Sequence, residues 1–347
     1  MSQSSARLLF IPVSGPRGMG EYARCLALAT ALEPRMPGLE MRFVLSRDAP
    51  YAADTPFAVT LLPASPTFHP QEVRALIGEF RPHLVVFDNA GRTSQLRAAH
   101  GSGARVVYVS SRSRQRRRAF RLRWMPLIDE HWIAYPEFIA GAPTLLERAK
   151  LRLLGRPRIR FIDTLLPGAD PARAARSLER FSLAPGEYVL IVPGGGSAHR
   201  GAEDAPAIVA AAARGIARRT PVLLVGATGA LSDGPGLRIA PRLPLEDLCE
   251  LIRAARLVVS NGGDTLLQAL ACERPCVAAP IAHDQAARIG RCVRAGLAVG
   301  APLEAAAIES AVLRLLENEA AHGARPRRQA VRNCLEEALG ALEALLV

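Results

Sequence analysis

Along the chain, short unbroken apolar runs alternate with stretches whose apolar residues recur every three or four positions, and the whole alternation occurs twice. The first series opens with Arg7 to Val13 (RLLFIPV), turns through Gly15, Pro16, Gly18 and Gly20, and continues into an amphipathic helix that ends at Pro34. Met41 to Leu45 and Val59 to Leu62 read as the second and third strands, and Pro70 to Phe80 as a helix. A fourth strand ends at Asp88 and Asn89, a fifth at Ser110 and Ser111, a sixth spans Glu130 to Ala134, and Phe138 to Lys150 reads as a helix. Continuous apolar runs of this kind suit strands covered on both faces, and strands alternating with helices call for a parallel sheet.

Leu151 to Pro185, with several Pro, Gly and Arg residues, reads as a connection between domains. A second series follows: a strand at Tyr188 to Val192 that breaks into PGGGSAHRG, an alanine-rich helix at Ala205 to Arg218, and a strand at Pro221 to Val225 that ends in GATG. Leu237 to Ala240 is a short strand, Leu245 to Ala254 a helix opened by Pro244, Ala305 to Glu317 another helix, and Pro326 to Leu346 a terminal helix opened by its proline. The expected fold class is α/β, with two open parallel-sheet domains over 1–165 and 180–325 and the helix of 326–347 packing back on the first.

The richest stretch is Val258 to Gly300, which reads as strand, glycine turn, helix, strand, polar loop and helix. Asn261, Gly262, Gly263, Asp264 and Thr265 form a turn of mostly small residues before a helix. At the carboxyl end of a sheet such a turn aims backbone N–H groups and the positive end of a helix dipole at an anion, which makes a phosphate site. His283, Asp284 and Gln285 sit in the second polar loop, where a cap on the next helix is the plain reading.

The chain has 347 residues, 49% of them hydrophobic, which is enough for two cores. A net charge of +12, carried almost entirely by arginine, admits nucleic acid, an anionic membrane or a phosphorylated substrate as partner. Only 5% of residues are aromatic and no nucleic-acid-binding module is recognisable, so nucleic acid is not expected. Arg112 to Arg123 (RSRQRRRAFRLR) is the densest charge, either a solvated loop or a basic patch for an anionic acceptor or membrane leaflet. The beginning MSQSSARLLFIPV lacks the pattern of a signal peptide, and the six cysteines form no CxxC pair. Reduced core thiols in a cytoplasmic protein, peripheral at the inner membrane if the basic stretch makes contact there, are the expectation.

The glycine loop Gly194 to Ser197, the run RLPLEDLCELIRAARLVVSNGG, the helix and strand TLLQALACERPCV and the HDQ loop now carry a resemblance. In that order they resemble the donor-binding domain of GT-B nucleotide-sugar glycosyltransferases, particularly the group containing the lipid-II-forming N-acetylglucosaminyltransferase, and also the nucleotide-sugar hydrolase of pseudaminic acid synthesis. At the other end, Gly18, Gly20, Arg24, Cys25 and Leu26 match the hydrolase's glycine turn, with Glu21 where that family has its expected catalytic histidine.

The resemblance implies two Rossmann-like domains facing a central cleft. Donor contacts then fall on Gly195, Gly196, Ser197, Leu243, Asn261, Gly262, Gly263, Asp264 and Thr265, with His199 or Arg200 beside the diphosphate and Asp284 and Gln285 on sugar hydroxyls. Gln268 stands where the family commonly has a ribose-binding glutamate; it keeps a carbonyl acceptor and lacks the charge. The implied activity is inverting transfer from a nucleoside diphosphate sugar, UDP or TDP favoured, to an unidentified acceptor, with no obligatory metal or other cofactor and a role in cell-envelope or glycoconjugate synthesis. Glu21 is the first candidate for general base and Asp88 the reserve, a carboxylate in a poorly solvated cleft having its pKa raised toward neutrality. The alternatives are a nucleotide-sugar hydrolase or epimerase and a non-catalytic nucleotide-sugar-binding protein.

Overall fold

The computed structural model describes residues 6–16, 19–194, 203–226, 232–318 and 330–347. The chain divides into two compact units, one formed by the chain up to Leu165 together with Cys334–Val347, the other by Leu166–Asn333.

The sheet of the first unit contains β1 (Arg7–Pro12), β2 (Glu40–Ser46), β3 (Ala58–Leu62), β4 (Leu84–Asp88), β5 (Arg105–Ser110), β6 (Glu130–Ile133) and β7 (Arg158–Phe161), in the order β3-β2-β1-β4-β5-β6-β7 and all parallel. Its helices include α1 (Gly20–Leu32), α2 (Pro70–Phe80), α3 (Thr93–Gly101), α4 (Ser113–Ala119), α5 (Glu137–Ala140) and α6 (Leu145–Leu154). Leu9, Ile11, Val85, Phe87 and Val106 of the central strands pack against Val73, Leu76, Ile77 and Phe80 of α2, so one face of the sheet is closed by an amphipathic helix.

The second unit opens with α7 (Pro171–Arg180) and carries β8 (Val189–Val192), β9 (Val222–Val225), β10 (Leu237–Ala240), β11 (Leu257–Ser260), β12 (Cys276–Ala278) and β13 (Val299–Gly300). Their order is β10-β9-β8-β11-β12-β13, again parallel. The helices are α8 (Ala205–Ala217), α9 (Leu245–Ala254), α10 (Asp264–Ala271), α11 (His283–Arg294) and α12 (Ala305–Glu317). Ala212, Ala213 and Ile216 of α8 and Ile308, Ala311 and Val312 of α12 form one core with β8, β9 and β11. The small residues of α8 allow close helix-on-sheet packing.

The final helix, α13 (Leu335–Leu346), belongs to the first unit, where Arg35 on the α1 side meets Glu336 at 2.6 Å and Glu343 at 2.7 Å. It starts later than Pro326: Ala330–Cys334 are not helical, and Cys334 N donates to Thr164 O at 2.9 Å.

Three other expectations change. The helix expected over 138–150 is two helices, separated by Gly141 at φ +81° and Pro143, with Thr144 and Glu147 forming a reciprocal capping box at the start of α6. The stretch 151–185 is more than a connection, since it holds the end of α6, strand β7 and helix α7. β7 escapes the apolar signal because its Arg158 and Arg160 alternate with Ile159 and Phe161 on an edge strand. Arg160 is neutralised by Glu130 on neighbouring β6, with Nε to Oε2 at 2.7 Å and Nη2 to Oε1 at 3.0 Å. Finally, Arg112 to Arg123 contains helix α4 rather than a loop throughout. Among the described residues, no helix is long and apolar enough to cross a membrane.

Candidate functional site

In each sheet the strand order reverses next to its first strand, between β1 and β4 in one unit and between β8 and β11 in the other. Loops leaving the carboxyl ends of two such strands run in opposite directions and leave a crevice, the usual ligand position in open α/β sheets. Glu21 and Asp88 lie beside the first reversal, and Asn261, Gly262 and Gly263 lie beside the second.

In the first unit, β1 leads to α1, whose first turn carries Glu21, and β4 leads to Asn89. Asn89 Nδ2 donates to Glu21 Oε1 at 2.9 Å and to Ser111 Oγ at 2.5 Å, while Ser111 N donates back to Asn89 Oδ1 at 2.9 Å. Asn89 is buried and adopts φ +53°, a left-handed conformation that asparagine tolerates better than most residues. Arg112 Nη2 lies 3.4 Å from the same Glu21 oxygen, and the glutamate side chain is 12% exposed, reachable yet held. Tyr22 stacks on Tyr51 with ring centroids 4.2 Å apart, which fixes the first turn of α1 against the segment after β2.

Asp88 does not suit the reserve role of proton acceptor. Its side chain is 1% exposed and both oxygens are engaged by Arg24, Nε to Oδ2 at 2.9 Å and Nη2 to Oδ1 at 3.0 Å. This bidentate pair ties α1 to β4 beneath the site. Cys25, next to it, is a buried core thiol, pushed well up by desolvation and by Asp88. Gly20 opens α1, whereas Gly18 lies outside the described residues. Asn89 and Ser111 are contributors that the motif match omits; their signal was a polar residue at the carboxyl end of each of two apolar strands.

In the second unit the turn after β11 is built by Asn261. Its Oδ1 accepts from Gly263 N at 2.9 Å and its Nδ2 donates to Pro193 O at 3.0 Å, joining the ends of β11 and β8 across the reversal. The glycines are required sterically: a Cβ on Gly263 would lie 2.8 Å from Asn261 Oδ1, and one on Gly262 would lie 2.9 Å from Gln285 Cβ and 3.0 Å from its carbonyl oxygen. Gly194, at φ +111°, passes so close to Asn261 that no Cβ fits there.

The Gly263 N–H is therefore committed to Asn261, and the first turn of α10 follows with Asp264 and Thr265. Ser260, at the end of β11, has a buried hydroxyl with no partner among the described residues, a group the sequence reading passed over. Gln268, one turn along α10, is buried, as is Leu243 just before the start of α9.

Of its two expected roles, Gln285 takes the capping one. Its Oε1 accepts from Ile281 N at 2.8 Å and Ala282 N at 3.0 Å, so it folds the HDQ loop onto the start of α11. His283 and Asp284 are exposed, with Asp284 Oδ2 3.2 Å from Arg288 Nη2, and Arg288 also donates to Gly262 O. Gly195, Gly196, Ser197, His199 and Arg200 lie outside the described residues. Among the described residues, no three His, Cys, Asp or Glu side chains are grouped as metal ligands.

Parallel sheets of this topology can now be set beside known structures. The calicheamicin glycosyltransferase CalG4 is similar over 99% of this chain and 99% of its own, at a TM-score of 0.63 and 18% identity. The chain has the GT-B fold. LpCGTa, solved in complex with UDP, matches at a TM-score of 0.62 and 14% identity, covering 99% of this chain and 100% of its own. A putative UDP-N-acetylglucosamine 2-epimerase from Listeria monocytogenes matches at 0.62 and 13%, covering 99% and 96%. No protein-family profile and no curated protein matches the chain. The GT-B likeness thus resides in the topology, not in extended sequence identity.

Proposed function

We propose that the protein is a glycosyltransferase that moves a sugar from a nucleoside diphosphate sugar, UDP- or TDP-linked, to an acceptor hydroxyl with inversion at the anomeric carbon. The observation that carries this reading is the pair of strand reversals, one holding an oriented carboxylate and the other a glycine turn at a helix start. In the second unit, the first-turn amides of α10 bind the diphosphate and stabilise the charge that develops as it leaves, without an obligatory metal. The Gln268 carbonyl accepts from the ribose, and Leu243 borders the base. Asp284 reads sugar hydroxyls; the buried Gln285 shapes its loop.

In the first unit, Glu21 takes the acceptor's hydroxyl proton. The acceptor oxygen attacks the anomeric carbon, the bond from that carbon to the β-phosphate oxygen breaks, and the nucleoside diphosphate departs with the electron pair. Asn89 holds the receiving oxygen of Glu21 in one orientation. LpCGTa was solved with UDP, which supports UDP as the first nucleotide to try.

The likeness to a putative epimerase favours a second reading, in which the donor is turned over without an acceptor. Incubation with a panel of nucleotide sugars, with and without cell extract, separates the two. Nucleotide released only with extract supports transfer, release in buffer alone supports hydrolysis, and an altered nucleotide sugar without release supports epimerisation. Glu21→Gln is expected to retain the thermal shift given by UDP and to abolish transfer; transfer at the wild-type rate would falsify the base assignment.

A further inference from the structure

Helix α6 has an inverted surface. None of its ten residues is buried, and three of its five leucines face solvent: Leu145 and Leu153 are each 78% exposed and Leu146 is 65% exposed, while Leu151 and Leu154 are half-buried. At about 100° per residue, Leu145, Leu146, Ala149 and Leu153 fall within an arc of roughly 100° on one side of the helix. Exposed Arg148 and Arg152 border that arc. The opposite side carries Glu147 and Lys150, which hold α6 to α4: Glu147 Oε2 is 3.1 Å from Arg116 Nη2, and Lys150 Nζ donates to Phe120 O at 3.2 Å. Arg116 also donates to the carbonyls of Ala140, Gly141 and Ala142, so its charge serves the fold.

The adjoining α4 segment contributes exposed Arg114, Arg117, Arg121 and Arg123, together with Leu122 at 55% exposure. The single acid of α6, Glu147, is neutralised by Arg116. A leucine stripe bordered by arginines, with no acid of its own left unpaired, has the composition of a helix lying in a membrane interface.

We infer that α6, flanked by the arginines of the α4 segment, is a docking surface for an anionic bilayer, with Leu145, Leu146 and Leu153 entering the acyl boundary and Arg148, Arg152 and the α4 arginines meeting lipid phosphates. Charge complementarity selects this occupant over a neutral protein surface. The inference is independent of the sugar chemistry above, because none of these leucines or of Arg148 and Arg152 lies among the donor or base residues.

The test is cosedimentation of the intact protein with vesicles of equal parts phosphatidylglycerol and phosphatidylcholine, compared with phosphatidylcholine alone. Binding to the anionic vesicles, weakened by added salt, is expected. Leu145→Ser/Leu146→Ser/Leu153→Ser is expected to lower the partition coefficient by roughly tenfold or more with circular dichroism and melting unchanged, since these side chains pack on nothing. Arg148→Gln/Arg152→Gln is expected to weaken binding and flatten its salt dependence. Absence of binding to anionic vesicles at low salt overturns the proposal, as does wild-type binding by the leucine variant. Concentration-dependent self-association that the leucine variant abolishes, without vesicle binding, also overturns it and assigns the face to a second copy of the chain.

Discussion

Asn89 and Glu21 meet across the strand reversal of the first unit, amide nitrogen to carboxylate oxygen at 2.9 Å. Neither residue could place itself: Asn89 is held by Ser111 on the far side and bent into a left-handed backbone conformation. Replacing Asn89 by Ala releases the carboxylate. Turnover is expected to fall by about 10- to 100-fold with little change in the UDP-induced thermal shift, because small misplacements of a catalytic group cost that much. A matching loss of nucleotide binding would show that Asn89 acts through the general fold instead.

The buried pair Arg24 and Asp88 is a stability element beneath this site. Arg24→Met leaves the carboxylate in the interior without its partner guanidinium, and a loss of about 3–5 kcal/mol is expected on denaturant unfolding. A loss under 1 kcal/mol would mean that Asp88 finds another partner or takes up a proton at little cost.

Gly263→Ala pushes a methyl group against Asn261 Oδ1 and breaks the turn before α10. The UDP-dependent thermal shift is expected to disappear, while the unliganded protein loses roughly 1–3 kcal/mol, the usual cost of overpacking. Nucleotide binding that survives this change would place the donor elsewhere.

His131 is fully buried between β5 and the α4 segment, with Nε2 2.8 Å from Ser110 Oγ and the Phe120 ring 5.3 Å away. Burial, assisted by Arg116, pushes its pKa from 6.5 down to about 3. Below pH 6.5 the unfolded chain takes up a proton that the folded one refuses, so stability is full above that pH and falls as the pH drops toward 3, by up to about 1.4 kcal/mol per unit. His131→Asn removes the titrating ring and is expected to flatten the slope of unfolding free energy between pH 6 and 4; an unchanged slope assigns it to the carboxylates.

None of the six cysteines is in a disulfide, and all but Cys272 are buried. Desolvation pushes Cys249 up to about 12 and Cys292 up to about 11. With so little thiolate at neutral pH, a disulfide reagent is expected to react within minutes only after denaturant is added. Rapid native reaction of more than one thiol, measured by absorbance, would contradict this packing.

Apolar periodicity was sufficient to reveal two parallel α/β series, because a strand covered on both faces must be apolar throughout and its position in the sequence needs no knowledge of its neighbours. The glycine turn at Asn261 to Thr265 was readable for a related reason, small residues and a helix start being local properties. Where charge was neutralised by a distant partner, the local signal failed: β7 was hidden by Arg160, which Glu130 pairs on the adjacent strand. Asp88 and Glu21 likewise look equivalent as two carboxylates following strands. Tertiary packing alone separated them, sealing one under Arg24 and leaving the other partly exposed beside Asn89, because burial and partnership are set by residues brought together from across the sheet.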